Sequence, residues 1–240
     1  MTDFLTYSFN SVNSKNTTLF LHGWGCNKNY MLPISKLKNS NSLIIDLPGF
    51  EKDKYLNKPY FIDDYIEEII IFLNNFEYKV THIVAHSFGG KLAVRLAKLL
   101  KVKGLILIAP SIYHKIRGPR YYIKVLTYKI IKRIKIFNKI SNKMGSQDYK
   151  SLNPIMKKTM SNIVNESVKE DIKKINVPTI LLFGNKDKIT PIYLAKKIKK
   201  NIKDCELIIL NGNHFAYLYN KTQVIKIIES LVDSTCWLLL

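Results

Sequence analysis

A serine, an aspartate and a histidine in this chain each follow closely on an apolar run. Ser87 ends the run in IVAHSFGG (83 to 90), Asp187 lies in FGNKDKITP (183 to 191), and His214 lies in NGNHF (211 to 215). A serine hydroxyl is a weak nucleophile at neutral pH. It needs a base to take its proton, and the base needs a group that fixes its tautomer and stabilises the imidazolium. Ser87 as nucleophile, His214 as base and Asp187 as orienting acid would supply these parts. Ala85 and Gly89 stand two residues either side of Ser87, small enough for a tight strand-to-helix turn that exposes the hydroxyl. Each of the three also has an ordinary alternative: Ser87 in a plain connection, Asp187 as a loop acid ahead of Pro191, and His214 as a loop histidine without a role.

Acyl-transfer chemistry needs, in addition, hydrogen-bond donors aimed at the oxygen that becomes negative. The backbone N–H of Phe88, next to Ser87, is one candidate. A second is that of Trp24, in the loop LHGWG (21 to 25) with Gly23; the alternative for Trp24 is an aromatic lining the core. Cys26 lies beside that loop and reads as an incidental or buried thiol. His22 and Asp46 are further polar residues at the ends of apolar runs.

The elements that must position these residues follow from hydrophobic periodicity. TTLFLHG, SLIIDLP, HIVAHS, GLILIAPS, TILLFG and ELIILNG are continuous apolar runs, the pattern of strands buried on both faces of a parallel sheet. Between them YFIDDYIEEIIIFLNNF, GGKLAVRLAKLL, IYLAKKIKKNI and TQVIKIIESLV return apolar residues every three or four positions, as amphipathic helices do. The order predicts an α/β fold with a doubly wound, mostly parallel sheet, and FLTYSFN reads as an antiparallel edge strand. Ligands bind such sheets at the strand C-terminal ends, where the polar residues above all fall.

The alternation breaks between Ser111 and Asn176, where basic helical patterns such as YYIKVLTYKIIKRIKIFNKI and PIMKKTMSNIVNESVKEDIKKI replace strands. We expect residues 1–110 and 177–240 to form the core and residues 111–176 a small helical cap. Sixteen of the chain's 38 Lys and Arg fall in that insertion against four acids, so most of the net +20 charge is concentrated there. A basic cap suits a substrate presented on something anionic, such as an acidic acyl-carrier protein or an anionic lipid surface. A solvated basic helix face is the plainer alternative. No nucleic-acid recognition module is visible, so no nucleic-acid partner is expected.

Cys26, Cys205 and Cys236 include no C-x-x-C and no histidine at metal-ligand spacing, so neither a disulfide framework nor a metal or other cofactor is expected. The start of the chain lacks a signal-peptide pattern and no long uncharged apolar run occurs, which together predict a cytoplasmic protein. The apolar tail STCWLLL (234 to 240) is assigned no function.

Taken as a set, LHGWG, DLPGF (46 to 50), VAHSFGGKLA (84 to 93), FGNKDKITP and NGNHF resemble the α/β-hydrolase superfamily over roughly residues 17 to 232. The HGWG variant, the length and the GNHF motif are similar to small carboxylesterases of the pimeloyl-(acyl-carrier protein) methyl ester esterase type. The resemblance implies Ser87, His214 and Asp187 as the catalytic residues, Trp24 and Phe88 as oxyanion donors, and a carboxylic ester or thioester as substrate. Glu51 and Lys52 depart from the Gly and Ser common after DLPGF, and Asn213 stands where a small residue usually precedes the histidine. An acyltransferase with the same residues, and a silent hydrolase fold used for binding, are the alternative functions.

Overall fold

In a computed structural model of the protein, residues 5–51, 55–113 and 152–234 are described. Among these residues seven strands form one sheet in the order β1-β3-β2-β4-β5-β6-β7. They are β1 (Tyr7–Asn10), β2 (Thr17–Leu21), β3 (Asn41–Ile45), β4 (His82–His86), β5 (Gly104–Ile108), β6 (Thr179–Gly184) and β7 (Cys205–Leu210). Every pairing is parallel except that of β1 with β3, so the expected edge strand takes the expected direction.

Successive side chains of a strand point to opposite faces, and the central strands spend both sets on burial. Leu19, Leu43, Ile83, Leu105 and Leu181 lie in one core cluster, whereas Phe20, Ile44, Val84, Ile106 and Ile180 lie in the other. The first face is covered by α1 (Ile62–Asn74), α2 (Phe88–Leu99), α3 (Pro154–Asn165), α4 (Lys169–Ile172) and α5 (Ile192–Lys199). The second is covered by Met31, the short 3-10 turn at Leu32–Ile34 and Leu37, by α6 (Ala216–Tyr219) and by α7 (Lys221–Asp233).

The insertion is described only at its ends, residues 111–113 and 152–176; the pattern over 121 to 140 and most of its basic charge lie outside the described residues. The helical pattern from Pro154 to Ile175 is not one helix. Glu166 adopts an extended ψ of 132 and separates α3 from α4. Met156, Ile163, Val168, Ile172 and Ile175 join the same core cluster as α1 and α2, so this end of the insertion packs as part of the main core.

Polar contacts from α2 fasten it there. Lys91, only 2% exposed, donates from Nζ to the carbonyls of Ile163 (2.5 Å) and Glu166 (2.7 Å). Those carbonyls end α3, where free C=O groups and a partial negative charge favour a cation. Burial pulls the Lys91 ammonium down to about 8. Glu166 in turn accepts from the Ile62 N–H, which opens α1, and from Arg95.

Candidate active site

The structure brings Ser87, His214 and Asp187 together at the C-terminal edge of the sheet. Ser87 follows β4 directly, with φ 51 and ψ −109, a backbone region that a residue with a Cβ occupies at a cost of about 1–3 kcal/mol. Hydrogen bonds over-determine it: its N–H donates to Ile108 (2.9 Å), and its carbonyl accepts from Gly90 (3.1 Å) and Ser111 (3.0 Å). Gly89 lets α2 begin this close to β2, since a Cβ there would lie 2.6 Å from the His22 carbonyl oxygen. That is the steric reason for the small residue after Ser87.

His214 and Asp187 arrive on the loops after β7 and β6. The loops touch because Gly184 has no side chain; a Cβ on it would lie 2.3 Å from the Asn213 carbonyl oxygen. His214 Nε2 is 3.0 Å from Ser87 Oγ, and His214 Nδ1 is 2.8 Å from Asp187 Oδ2. The acid is buried, and its remaining lone pairs are occupied by the N–H groups of Ile189 (2.7 Å) and Thr190 (2.9 Å) and by the Thr190 hydroxyl (2.7 Å). Burial works against its charge, but the hydrogen bonds from His214 and Thr190 outweigh it and hold the carboxyl below its usual value. An ionised acid, an imidazole and a hydroxyl linked in this order can move a proton from the hydroxyl to the ring.

Trp24 and Phe88 lie beside this chain of groups. Their rings are 5.7 Å apart, and a Cβ on Gly23 would lie 3.2 Å from Ser87 Cβ, so the loop 22 to 25 abuts the serine. Neither the Trp24 nor the Phe88 N–H meets a hydrogen-bond acceptor among the described residues. The loop is held by His22, which is fully buried. His22 Nδ1–H donates to the Gly23 carbonyl (2.8 Å), and His22 Nε2 accepts from the Leu47 N–H (2.9 Å). A trans peptide points its C=O and N–H in opposite directions, so fixing the Gly23 carbonyl on His22 turns the Trp24 N–H away from that ring. Burial keeps His22 neutral, its imidazolium pulled down to about 4.

Other polar residues near the edge go elsewhere. Asp46 accepts from the Lys28 N–H (2.6 Å) and Nζ (2.5 Å) in a structural ion pair. The Cys26 thiol is pushed up to about 11 by burial and stays protonated at neutral pH. Among the described residues no group of three or more His, Cys, Asp or Glu could hold a metal, and no helix is long and apolar enough to cross a membrane.

Sequence reasoning missed Thr190, the positioning role of His22, and His86, whose ring centroid lies 4.8 Å from that of His214. Thr190 had one available signal, its place three residues after Asp187 in DKIT, the spacing of a side chain that folds back on an acid.

Comparison with known proteins supports the architecture. A family model described as the alpha/beta hydrolase family matches residues 18–226. A pimeloyl-(acyl-carrier protein) methyl ester esterase from Wigglesworthia glossinidia brevipalpis is 26% identical, covering 89% of this chain and 92% of that one. A proline iminopeptidase from Saccharolobus solfataricus is 27% identical, covering 95% and 88%. Among solved structures, a lipase-esterase related protein from Clostridium acetobutylicum is similar in fold, with a TM-score of 0.72 at 23% identity over 95% of this chain and 99% of that one.

Proposed function

Given that the chain belongs to the alpha/beta hydrolase family, we propose that it is a serine hydrolase that cleaves a carboxylic ester or thioester through an acyl-enzyme on Ser87. One observation carries this reading: the unbroken link from Ser87 Oγ through His214 to Asp187, at 3.0 and 2.8 Å.

In the proposed mechanism His214 Nε2 accepts the Ser87 proton as Oγ attacks the substrate carbonyl carbon. Asp187 holds the ring with its proton on Nδ1 and stabilises the imidazolium that forms. The oxyanion is held by the Phe88 and Trp24 N–H groups, which are fixed to rigid backbone and need no rearrangement as charge develops. His214 then gives its proton to the leaving group. Water, deprotonated by His214, releases the acyl group and restores the serine.

The substrate we infer is an acyl ester carried on an anionic partner, an acidic acyl-carrier protein being the form suggested by the esterase relative and by the basic insertion. Ser87→Ala is expected to lower kcat on short p-nitrophenyl esters by about 10⁴-fold or more and to abolish labelling by a fluorophosphonate. Unchanged esterase activity in this variant would reject the mechanism.

A further inference from the structure

His86 ends β4 immediately before Ser87 and is 1% exposed. Its Nε2 lies 3.1 Å from the backbone carbonyl oxygen of His214, a contact between residues 128 positions apart. A carbonyl only accepts, so Nε2 carries the proton and Nδ1 is a bare lone pair. Nδ1 is buried with no partner among the described residues, and a Cβ on Gly23 would lie 2.9 Å from it. The ring therefore stands between the loop that carries His214 and the loop that carries Trp24.

We infer that His86 is a positioning residue: its Nε2–H pins the main chain of His214 and so keeps His214 Nε2 aimed at Ser87 Oγ. This inference rests on the reading of Ser87 and His214 as nucleophile and base. The hydrogen bonds of the His214 ring cannot do this job alone, because the one to Ser87 is the bond along which the proton moves and its donor changes during the reaction. The bond to the His214 carbonyl involves no reacting atom and persists through the cycle. An apolar ring would fill the same space, between His214, Phe215 and Tyr217, without leaving a buried nitrogen unpaired, so what the imidazole adds is the Nε2–H. Burial keeps the ring neutral, its imidazolium pulled down to about 3. The carbonyl is thus held without a second positive charge beside the imidazolium forming on His214.

The test compares His86→Phe, which keeps the ring packing but removes the donor, with His86→Gln, whose amide nitrogen restores one. Four quantities are measured: kcat and KM on short p-nitrophenyl esters, the Tm, and the low-field proton resonance of His214 Nδ1–H, assigned by its absence in His214→Ala. In His86→Phe we expect kcat to fall by about 10²-fold, the loss that a misplacement near 1 Å brings, with KM unchanged. The resonance should shift and exchange faster with solvent at a temperature well below the Tm, and His86→Gln should restore most of both. Wild-type kcat in His86→Phe, a loss of kcat with the resonance unmoved, or a glutamine variant no better than the phenylalanine one would each overturn the inference. Should Ser87→Ala retain full activity, the reading of the serine fails, while the resonance still judges His86 separately.

Discussion

Thr190 grips Asp187 at both oxygens: its hydroxyl lies 2.7 Å from Oδ2 and its backbone N–H 2.9 Å from Oδ1. Oδ2 is also the oxygen that faces His214, so the hydroxyl helps hold the charge on which the imidazole depends. Thr190→Val keeps the shape and removes this donor. Losing a hydrogen bond to the charged form raises a carboxyl pKa, so the Asp187 charge is held less firmly and kcat/KM at neutral pH should fall about tenfold, the equivalent of one charge-assisted hydrogen bond. Unchanged kcat/KM would show that Thr190 is dispensable.

The backbone of Ser87 predicts a trade between stability and activity. At φ 51 and ψ −109 a Cβ is strained and glycine is not. Although glycine is ordinarily the less stable choice by about 0.5–1 kcal/mol, Ser87→Gly should unfold in urea with a free energy about 1 kcal/mol higher than Ser87→Ala. Both variants would be inactive, so the comparison isolates the strain.

Stability should also fall on mild acidification. His82, at the start of β4 and far along the strand from Ser87, is buried, and burial pulls its imidazolium down to about 4. An unfolded histidine titrates near 6.5. Between these values the unfolded chain binds a proton that the folded chain refuses, so unfolding is favoured progressively as pH falls from about 6.5 to about 4. Below that window the cost is constant, and above it there is none. His22 and His86, lowered to about 4 and about 3 by burial, act in the same direction. Urea midpoints measured at pH 7 and 5 should therefore differ, and His82→Gln should shrink the difference. An equal drop in the variant would argue against a buried neutral His82.

Lys91 secures the end of α3. Lys91→Met keeps the aliphatic stem but leaves the Ile163 and Glu166 carbonyls without their shared donor. Burying an unsatisfied acceptor costs about 1–3 kcal/mol, so a loss of that order is expected in urea unfolding, with esterase activity per folded molecule reduced less than by any change at Ser87.

The strands and their C-terminal polar residues were legible because continuous apolar runs have few other uses in a chain of this length. Ser87, Asp187 and His214 could be located because a sheet of this kind collects its strand ends at one edge. The residues that aim them were not legible. His22 was visible only as a polar residue at the end of an apolar run and His86 sits inside one, and the partners that give them their roles, Leu47 and His214, lie on loops after other strands. Lys91 looked like the polar face of an amphipathic helix, yet it is buried, because the chain that covers it arrives more than 70 positions later. The break at Glu166 was hidden because no local proline or glycine marks it, and one side-chain contact that Glu166 makes there is with Ile62, 104 positions earlier.

Among the described residues the sheet ends at β7. Among those residues no further strand pairs with its outer edge, and along CELIIL the side chains of Glu206 and Ile209 are exposed. An apolar, half-open edge of this kind is a template for a strand from another copy, which a charge on the edge discourages. Glu206 is the only charged residue in the strand. Glu206→Val should raise light scattering on storage at high concentration while leaving activity at high dilution intact, and unchanged scattering would show that this carboxylate does not protect the edge.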